Sequence, residues 1–322
     1  MSLRTGRSAP AGPVELVVAR LGQGGDGIAP LPDGRPAYVP DALPGERVRI
    51  LPGARRGEGV AARLLARLTD SPDRAAPPCP HVGACGGCTV QHLTEGAYCR
   101  WKAGLLADAL RRAGFPDTPI DPLVPAAPAT RRRADLALRD GAVGFHERAS
   151  SRVVDVPSCR VLDPAILALA GHLRGLARDL ACLRPAAEAQ VNLLDTGADL
   201  VLRGAREPDL AERERLAAFA EAADLARLCW ATGTAAPLPV AVRRAPRIAF
   251  AGVAVEPPPG AFLQATRAGE AAIGEAVLAA LAGLADGAVV ADLYAGIGTL
   301  SFRLARRWRV RAGRDPASAC RG

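Results

Sequence analysis

The pattern of apolar and polar positions predicts a small all-β module at the start of the chain. Residues 14–19 form an apolar strand, followed by a glycine-dense turn over residues 21–27. Residues 37–39, 47–50 and 59–68 are further short strand candidates between glycine and proline turns. Short strands at this spacing are typical of a small barrel of the oligonucleotide-binding kind, and any other small β domain has the same pattern.

A proline-rich stretch over residues 71–78 marks a linker, and the region after it mixes helices with paired strands. Helical periodicity predicts a helix over residues 98–113. Residues 131–145 predict a hairpin with its turn at Arg139-Asp140-Gly141, and a short strand follows at residues 153–156.

The second half of the central region is also predicted to contain both helices and paired strands. Residues 164–180 and 210–228 have the periodicity of helices, and residues 190–194 and 200–203 predict a second strand pair around Asp195-Thr196-Gly197. The order of elements predicts a central α+β domain.

The pattern changes again near the end of the sequence. Residues 265–284 predict a long amphipathic helix that Gly287 ends, and residues 288–293 then predict a buried apolar strand. A glycine turn at residues 294–299 leads into a helix over residues 300–307. Helix, strand, glycine turn and helix are the opening of a Rossmann-like α/β domain that binds a nucleotide-like cofactor.

Composition sets limits on the class of protein. The chain has 322 residues, of which 49% are hydrophobic, and this length allows roughly two or three domains. No apolar run reaches the ~18 residues of a membrane span, and the polar, basic start lacks a secretory signal. We therefore expect a cytoplasmic protein with no membrane contact, and no obligate protein partner is evident.

The net charge of +8 and the pI of about 9.5 predict a polyanionic partner, such as nucleic acid. A second explanation stays open, because 40 of the 41 basic residues are arginine and only Lys102 is lysine. Such a ratio, with much alanine, glycine and proline, also suggests a GC-rich coding sequence.

Eight cysteines are present, and four of them fall within 21 residues. In a reducing cytosol they are better explained as metal ligands, catalytic groups or buried thiols than as disulfides. Cys79, Cys85 and Cys88 are spaced by glycines that let the backbone fold around one centre. A closed site needs a fourth ligand, either Cys99 or Cys159, and zinc with Cys99 is a reasonable alternative to an iron–sulfur cluster.

Two segments carry a resemblance to a known family. Residues 79–92 contain Cys-Pro-His, Cys-Gly-Gly-Cys and Gln-His, and residues 144–159 contain Gly-Phe-His, Val-Val-Asp-Val and a final cysteine. Both are similar to the iron–sulfur class of RNA uracil-5-methyltransferases. The resemblance implies a [4Fe-4S] cluster with the four ligands Cys79, Cys85, Cys88 and Cys159, and leaves Cys99 as a spare thiol.

The same resemblance extends to both sides of these segments. The N-terminal module is similar to the TRAM domain, which grips RNA in this family. Arg131, Arg132 and Arg133 precede a hairpin that resembles the family's central domain. These three arginines are candidates for phosphate contacts, and a solvated basic turn is the alternative.

Residues 292–299 resemble the S-adenosylmethionine motif of the family, and residues 260–264 resemble the segment whose glutamine touches that cofactor. The glycines let backbone amides approach a ligand closely. The resemblance implies Gln264, Tyr294 and Thr299 as cofactor-binding residues. For Asp292 the alternative is a structural cap of the turn.

In that family, a cysteine thiolate adds to C6 of uracil, and C5 then accepts the methyl group before a base removes the C5 proton. The nucleophile follows an Asp-Pro-Pro-Arg segment downstream of the cofactor motif. Only 23 residues follow Thr299 here, and they contain no such segment. Cys320 has no matching context, Asp315 is a poor candidate for a ribose-binding carboxylate, and Cys182 and Cys229 are interpreted as core thiols. We therefore assign no catalytic residue and expect a C-terminally truncated chain with weak or no cofactor binding and no methylation.

The sequence thus predicts a multidomain protein. Residues 1–70 are expected to form an OB-like, TRAM-like β barrel, residues 71–255 a central domain with the cluster, and residues 256–322 the start of a methyltransferase domain. The implied activity is S-adenosylmethionine-dependent methylation of uracil C5 in structured RNA, with 23S rRNA as the expected target. The alternatives are a tRNA uracil-5-methyltransferase and a non-catalytic RNA-binding iron–sulfur protein.

Overall fold

The computed structural model describes residues 12–313. The chain divides into two compact units, Met1–Leu123 and Val124–Gly322, called here the N-terminal and C-terminal units. The domain boundaries expected after residues 70 and 255 remain predictions. Across residues 12–313, no helix is long and apolar enough to cross a membrane.

The N-terminal unit contains one six-stranded sheet in the order β1-β5-β6-β4-β3-β2. All neighbours are antiparallel except β4 and β6, which are parallel. The four predicted strands of this region are confirmed. The strands are β1 Val14–Val17, β2 Arg20–Leu21, β3 Gly27–Pro30, β4 Pro36–Val39, β5 Arg47–Arg56 and β6 Gly59–Arg67.

Side-chain alternation explains why this sheet has one apolar face. In β5, Val48 and Ile50 are fully buried, whereas Arg47 and Arg49 point to solvent. Successive side chains of a strand face opposite sides, so the arginines stay hydrated while the aliphatic residues pack. The buried side chains come from several strands and form one hydrophobic cluster.

The predicted linker is fastened to this sheet through a buried carboxylate. Glu46 is fully buried and accepts hydrogen bonds from the backbone N–H groups of Leu43 and Ser71, at 2.8 and 3.2 Å. The Arg74 guanidinium donates to both of its oxygens, at 2.5 and 2.8 Å. Helix α1, Glu95–Arg112, follows and confirms the helix predicted over residues 98–113.

The C-terminal unit is built on a seven-stranded sheet in the order β13-β12-β11-β10-β7-β8-β9. Within this seven-stranded sheet, β11 and β12 are the one pair of parallel neighbours, and all other neighbours are antiparallel. Both predicted strand pairs are confirmed. The strands are β7 Arg133–Arg139, β8 Ala142–His146, β9 Val153–Asp155, β10 Ala186–Leu194, β11 Gly197–Gly204, β12 Arg227–Thr232 and β13 Leu238–Val242.

Two helices cover one face of this sheet, α2 at Pro164–Asp179 and α3 at Leu210–Ala222. Buried side chains of both helices share one apolar cluster with alternate residues of the strands. The predicted turn of the first hairpin is confirmed as well: Asp140 and Gly141 have φ of 51° and 80°, as a tight hairpin turn requires.

The helix predicted over residues 210–228 is wrong in its last six residues, 223–228. A capping box between Asp209 and Glu212 starts α3, which ends at Ala222. Residues 227–231 then lie in β12, and all five are buried. A short continuous apolar run fits a buried strand as well as a helix, and here the sheet decides.

The rest of the C-terminal unit consists of small elements. They are strands β14 Ile248–Phe250 and β15 Val253–Val255, helix α4 Arg267–Ala280, strand β16 Val289–Asp292, helix α5 Ser301–Leu304 and strand β17 Arg309–Ala312. β14 pairs with β15, and β16 runs parallel to β17. The helix predicted over residues 300–307 is shorter than expected.

The strand predicted over residues 288–293 exists, but it is not buried as expected. Val289 is 58% exposed and Leu293 is 72% exposed. Within residues 12–313, β17 is the single strand that pairs with β16. A two-stranded sheet cannot enclose its own side chains, so the apolar sequence stays at the surface.

Candidate cofactor site and cysteine loop

The glycine turn between β16 and α5 uses an unusual backbone. Tyr294, Gly296 and Gly298 have φ of 60°, 57° and 87°. A Cβ atom on Gly298 would lie 2.5 Å from Cε2 of Phe302, so only glycine fits there. Tyr294 is a bulky residue in the left-handed region, where the backbone is strained, and such positions cluster at ligand sites.

Asp292 has a structural contact in this turn. Its Oδ2 accepts a hydrogen bond of 2.5 Å from the Ser301 hydroxyl. This bond links the end of β16 to the first residue of α5, which supports the structural interpretation of Asp292.

A second segment, residues 257–265, carries Gln264, and a buried ion pair holds its beginning. Arg227 donates to both oxygens of Asp199, at 2.8 and 2.9 Å, and also to the carbonyl of Pro257 at 2.9 Å. The side chains of Arg227 and Asp199 are 7% and 1% exposed. A buried charged pair with bidentate geometry fixes the donor that grips Pro257.

The middle of this segment lies against the sheet. Nδ2 of Asn192, a buried residue of β10, donates to the Ala261 carbonyl at 2.9 Å. Gly260 has φ of 71°, and a Cβ atom there would lie 2.5 Å from Oε1 of Gln190. Glycine is favoured here by the positive φ, and any other residue would also displace the end of the Gln190 side chain.

Arg132 holds the end of the segment. Its Nε donates to the Gln264 carbonyl at 3.2 Å, and its backbone N–H donates to Ala265 at 2.9 Å. Its Nη2 lies 2.5 Å from Glu270. The expectation of a phosphate contact is wrong for Arg132, because this side chain is 3% exposed and already paired.

Of the other two arginines of the triplet, Arg131 is exposed and Arg133 is half-buried. Arg131 donates to the Arg133 carbonyl at 3.0 Å. The Arg133 guanidinium lies 4.9 Å from the centre of the Phe262 ring. No contact of either residue bears on the predicted phosphate role, which stays a prediction.

One apolar cluster joins the 257–265 segment to the glycine turn. Leu263, which is 1% exposed, packs with Leu194, Ile248 and Phe250, and Ile297 and Phe302 pack against the same cluster. Gln264 follows Leu263, and Tyr294 and Thr299 flank Ile297. The structure thus brings the two predicted cofactor segments into one neighbourhood. Gln264 and Thr299 are half-buried, and Tyr294 is 77% exposed.

Sequence reasoning missed four residues that build this site: Arg132 as an internal group, Asn192, Asp199 and Arg227. The sequence did contain a pattern that could have revealed two of them, because Asn192 and Asp199 are polar residues within otherwise apolar strands. Polar side chains inside such strands must find partners, and here those partners are Arg227 and the carbonyls of the 257–265 segment.

A separate cleft of 760 Å³ lies in the same unit. Its polar lining includes Asp163, His172, Asp195 and Arg267. Asp195 and Arg267 already pair at 2.6 Å. None of the three predicted cofactor residues lines this cleft, although Arg132 and Leu194 do.

The predicted cluster cysteines are half-buried, with Cys79, Cys85 and Cys88 in the N-terminal unit and Cys159 in the C-terminal unit. The Gly87 N–H donates to Cys85 Sγ at 3.4 Å, and the Val161 N–H donates to Cys159 Sγ at 3.4 Å. Among the residues that the structure describes, no three histidine, cysteine or acidic side chains are grouped so that they hold a metal ion.

Cys99 lies in the same part of the N-terminal unit. Burial raises the pKa of Tyr98, and the neighbouring thiols of Cys99 and Cys88 add to the increase. Both thiols are therefore close to one phenol, which keeps Cys99 open as an alternative ligand.

The interpretation of Cys182 and Cys229 as core thiols is confirmed. Both are fully buried, and burial raises the pKa of each thiol to about 11. Cys320 and Asp315 lie outside the described residues.

Comparison with known proteins gives close sequence relatives. The chain is 36% identical over 309 residues to an RNA methyltransferase of Brucella suis, covering 95% of this chain and 71% of the relative. It is 34% identical over 329 residues to a 23S rRNA (uracil-1939-C5)-methyltransferase of Alkalilimnicola ehrlichii, covering 98% and 73%. The chain belongs to the RNA methyltransferase family.

A solved structure supports the fold of this RNA methyltransferase chain. The tRNA (uracil-54, C5)-methyltransferase of Pyrococcus abyssi, in complex with S-adenosyl-L-homocysteine, matches with a TM-score of 0.70 and 19% identity. The match covers 95% of this chain and 74% of that structure. No family model matches the sequence.

Proposed function

We propose that the protein acts in the S-adenosylmethionine-dependent methylation of uracil C5 in structured RNA, with 23S rRNA as the target. The relative from Alkalilimnicola ehrlichii bears this activity in its name, at 34% identity. The solved structure with the same fold carries S-adenosyl-L-homocysteine, the demethylated form of this cofactor. Together they favour this reaction over other RNA methylations.

The observation that carries the proposal is the meeting of the two cofactor segments at Leu263 and Ile297. In the proposed site, Gln264, Tyr294 and Thr299 hold S-adenosylmethionine, which supplies an electrophilic methyl group. Arg132 and Asn192 orient the segment that presents Gln264. Fixing such a segment before binding reduces the entropy lost when the ligand is held.

The described residues leave this site open. Tyr294 and Leu293 are 77% and 72% exposed, whereas good small-molecule sites enclose most of the ligand surface. We therefore expect weak cofactor binding by the 322-residue polypeptide.

We further propose that Cys79, Cys85, Cys88 and Cys159 hold a [4Fe-4S] cluster. The donor set is chemically suitable, since four thiolates suit such a cluster and backbone N–H groups tune its sulfur ligands. The N–H donors at Cys85 and Cys159 support this assignment. No step of the methyl transfer is routed through the cluster.

The cluster assignment has a direct test. Protein purified anaerobically should be brown, Cys159→Ala should bleach it, and Cys99→Ala should leave the colour unchanged. A colourless protein that holds one zinc ion, and loses it in Cys99→Ala, would contradict the assignment and favour the zinc alternative.

The cofactor assignment is tested by titrating S-adenosyl-L-homocysteine and observing its proton signals by saturation-transfer NMR. The unaltered chain should give a weak saturation-transfer signal from the bound ligand. Gln264→Ala should remove this signal, and the matched variant Gln23→Ala, in the N-terminal unit, should retain it. Equal signals from both variants would show that Gln264 does not contact the cofactor.

The reaction itself is tested with methyl-labelled cofactor and unmodified 23S rRNA, with tRNA in a parallel reaction. No residue of the chain is assigned as the nucleophile, so we expect the 322-residue polypeptide to transfer no label. It should bind the 23S fragment in preference to tRNA, and the reverse preference favours the tRNA enzyme. Label at uridine C5 would contradict our expectation, and Cys320 would be the first residue to change.

A further inference from the structure

A crevice in the N-terminal unit has features that the methyl-transfer site does not use. It has a volume of 430 Å³ and lies between the glycine turn before β3, strand β4 and the β5–β6 hairpin. Its lining includes Arg20, Asp26, Tyr38 and Arg56. The volume falls within the range of about 300–1,000 Å³ that is usual for small-ligand sites.

Of the two arginines that line this crevice, Arg56 is the one whose guanidinium contacts neighbouring side chains. Its guanidinium lies 4.8 Å from the centre of the Tyr38 ring. Its Nη1 lies 2.6 Å from Oδ2 of Asp26. The ring and the carboxylate hold the guanidinium plane in one orientation, and the side chain is still 52% exposed. A flat, oriented and accessible plane is therefore available to a second flat group.

The other parts of the crevice leave room and add charge. Gly22, Gly24 and Gly57 line it, and a Cβ atom on Gly24 or Gly57 would meet nothing within 4 Å. Arg20 is exposed and forms no ion pair with any residue between 12 and 313. A free guanidinium beside an open glycine floor is suited to a phosphate oxygen.

We propose that this crevice binds one unpaired nucleotide of the RNA, with its base stacked on Arg56 and its phosphate on Arg20. The proposal rests on the proposed function only in taking RNA as the partner. Unpaired bases stack on aromatic rings and arginine planes, whereas the bases of an RNA duplex are inaccessible to such stacking. The crevice thus selects a single-stranded segment and does not require a particular base.

The test measures binding of fluorescent hexauridine, and of a short RNA duplex, to the full 322-residue chain. Arg56→Lys keeps the charge and loses the planar group, so it isolates stacking. Arg55→Lys is the matched control, because Arg55 is an exposed neighbour that contacts only the Gly57 carbonyl among the described residues. Arg20→Ala removes the proposed phosphate contact.

Arg56→Lys should weaken hexauridine binding by roughly 5-fold or more, since that is the lower end of a lost base stack. The salt dependence of its affinity should stay unchanged. Arg55→Lys should change affinity by less than about 2-fold, whereas Arg20→Ala should flatten the logarithmic salt slope by about 0.7. Circular dichroism melting curves of all three variants should match that of the unaltered chain.

Three results would overturn the proposal: equal losses in Arg56→Lys and Arg55→Lys, duplex binding as tight as hexauridine binding, or no binding at all. None of these measurements uses S-adenosylmethionine. A preference for tRNA over the 23S fragment, with intact, Arg56-dependent hexauridine binding, would contradict the proposed function and leave the crevice assignment standing.

Discussion

Strands β12 and β16 have similarly apolar sequences and opposite environments. In β12, residues 227–231 are all buried, although one of them is the charged Arg227. In β16, Val289 is 58% exposed and no residue is fully enclosed. The sequence pattern predicted that a helix would continue to residue 228, the second residue of β12, and that residues 288–293 would form a buried strand.

The number of neighbours explains the difference. Strand β12 pairs with β11 on one side and β13 on the other, and α3 packs on its apolar face. Strand β16 has β17 as its one partner among the described residues. Hydrophobicity favours burial in general, but burial is realised only where other elements cover the strand.

The largest expected effect comes from a matched pair of leucines. Leu228→Ala, at a fully buried position in β12, should lower the free energy of unfolding by about 2–5 kcal/mol. Leu293→Ala, at a position 72% exposed, should change it by less than about 0.5 kcal/mol. Urea titration followed by circular dichroism measures both, and equal losses would show that the end of β16 is covered in solution.

The two regions should also differ in their ion pairs. Asp199→Ala leaves Arg227 charged and buried and should cost about 3 kcal/mol. Asp286 pairs with Arg307 at 2.8 Å, but its side chain is 84% exposed, so Asp286→Ala should have no measurable effect. The same urea titrations apply, with hydrogen exchange at residues 257–265 as a second measurement. Unchanged exchange there in Asp199→Ala would mean that the pair does not hold this segment.

Glu212 in α3 should make the free energy of unfolding depend on pH, and the variant Glu212→Gln should lose this dependence. The Arg206 guanidinium and the backbone N–H groups of Asp209 and Cys182 lower the pKa of Glu212 to about 2. A lowered pKa stabilises the fold above the unfolded value of about 4.3, and this contribution is lost as pH falls towards 2. Glu212→Gln should therefore cost roughly 1–3 kcal/mol at pH 7, with the difference shrinking below pH ~4.3.

The control for this effect lies in α4. Glu275 pairs with Arg303 at 2.6 Å, but it is 71% exposed, so Glu275→Gln should show little change at any pH. Melting temperatures measured across the acid range compare the two variants. A constant gap for Glu212→Gln from neutral to strongly acid pH would contradict the lowered pKa.

The smallest effect concerns association of the chain with itself. Val289→Thr keeps a β-branched side chain on the exposed strand and reduces its apolar surface. The free energy of unfolding should stay within about 0.5 kcal/mol, whereas the fraction of aggregated protein in light scattering should fall. More aggregation in this variant would argue against β16 as an exposed apolar edge.

Local chemistry explains which elements could be predicted. The Asp140-Gly141 turn, four of the six strands of the N-terminal sheet and helix α1 follow from glycine, proline and period-2 or helical patterns within a few residues. The division between α3 and β12 could not be predicted, because residues 223–231 are apolar enough for either element. Parallel pairing with β11, which lies far back along the chain, decides it.

The predicted cofactor residues show the same division. Gln264, Tyr294 and Thr299 were predicted from motifs that resemble those of the family. The groups that hold their segments come from β10, β11, β12 and the residue before β7, far away in sequence. No local pattern joins Asp199 to Arg227 or Arg132 to Glu270, so these contacts emerge only when the sheet is assembled.

By itself, the sequence determined four of the six strands of the N-terminal sheet, the cysteine spacing and the glycine turn, because each depends on the conformational preferences of neighbouring residues. Only the tertiary structure decided that Arg132 is an internal support, that β12 is a strand, and that the apolar residues of β16 remain exposed. The physical reason is that burial and charge pairing depend on distant partners. The same side chain is stabilising where such partners surround it and merely exposed where they do not.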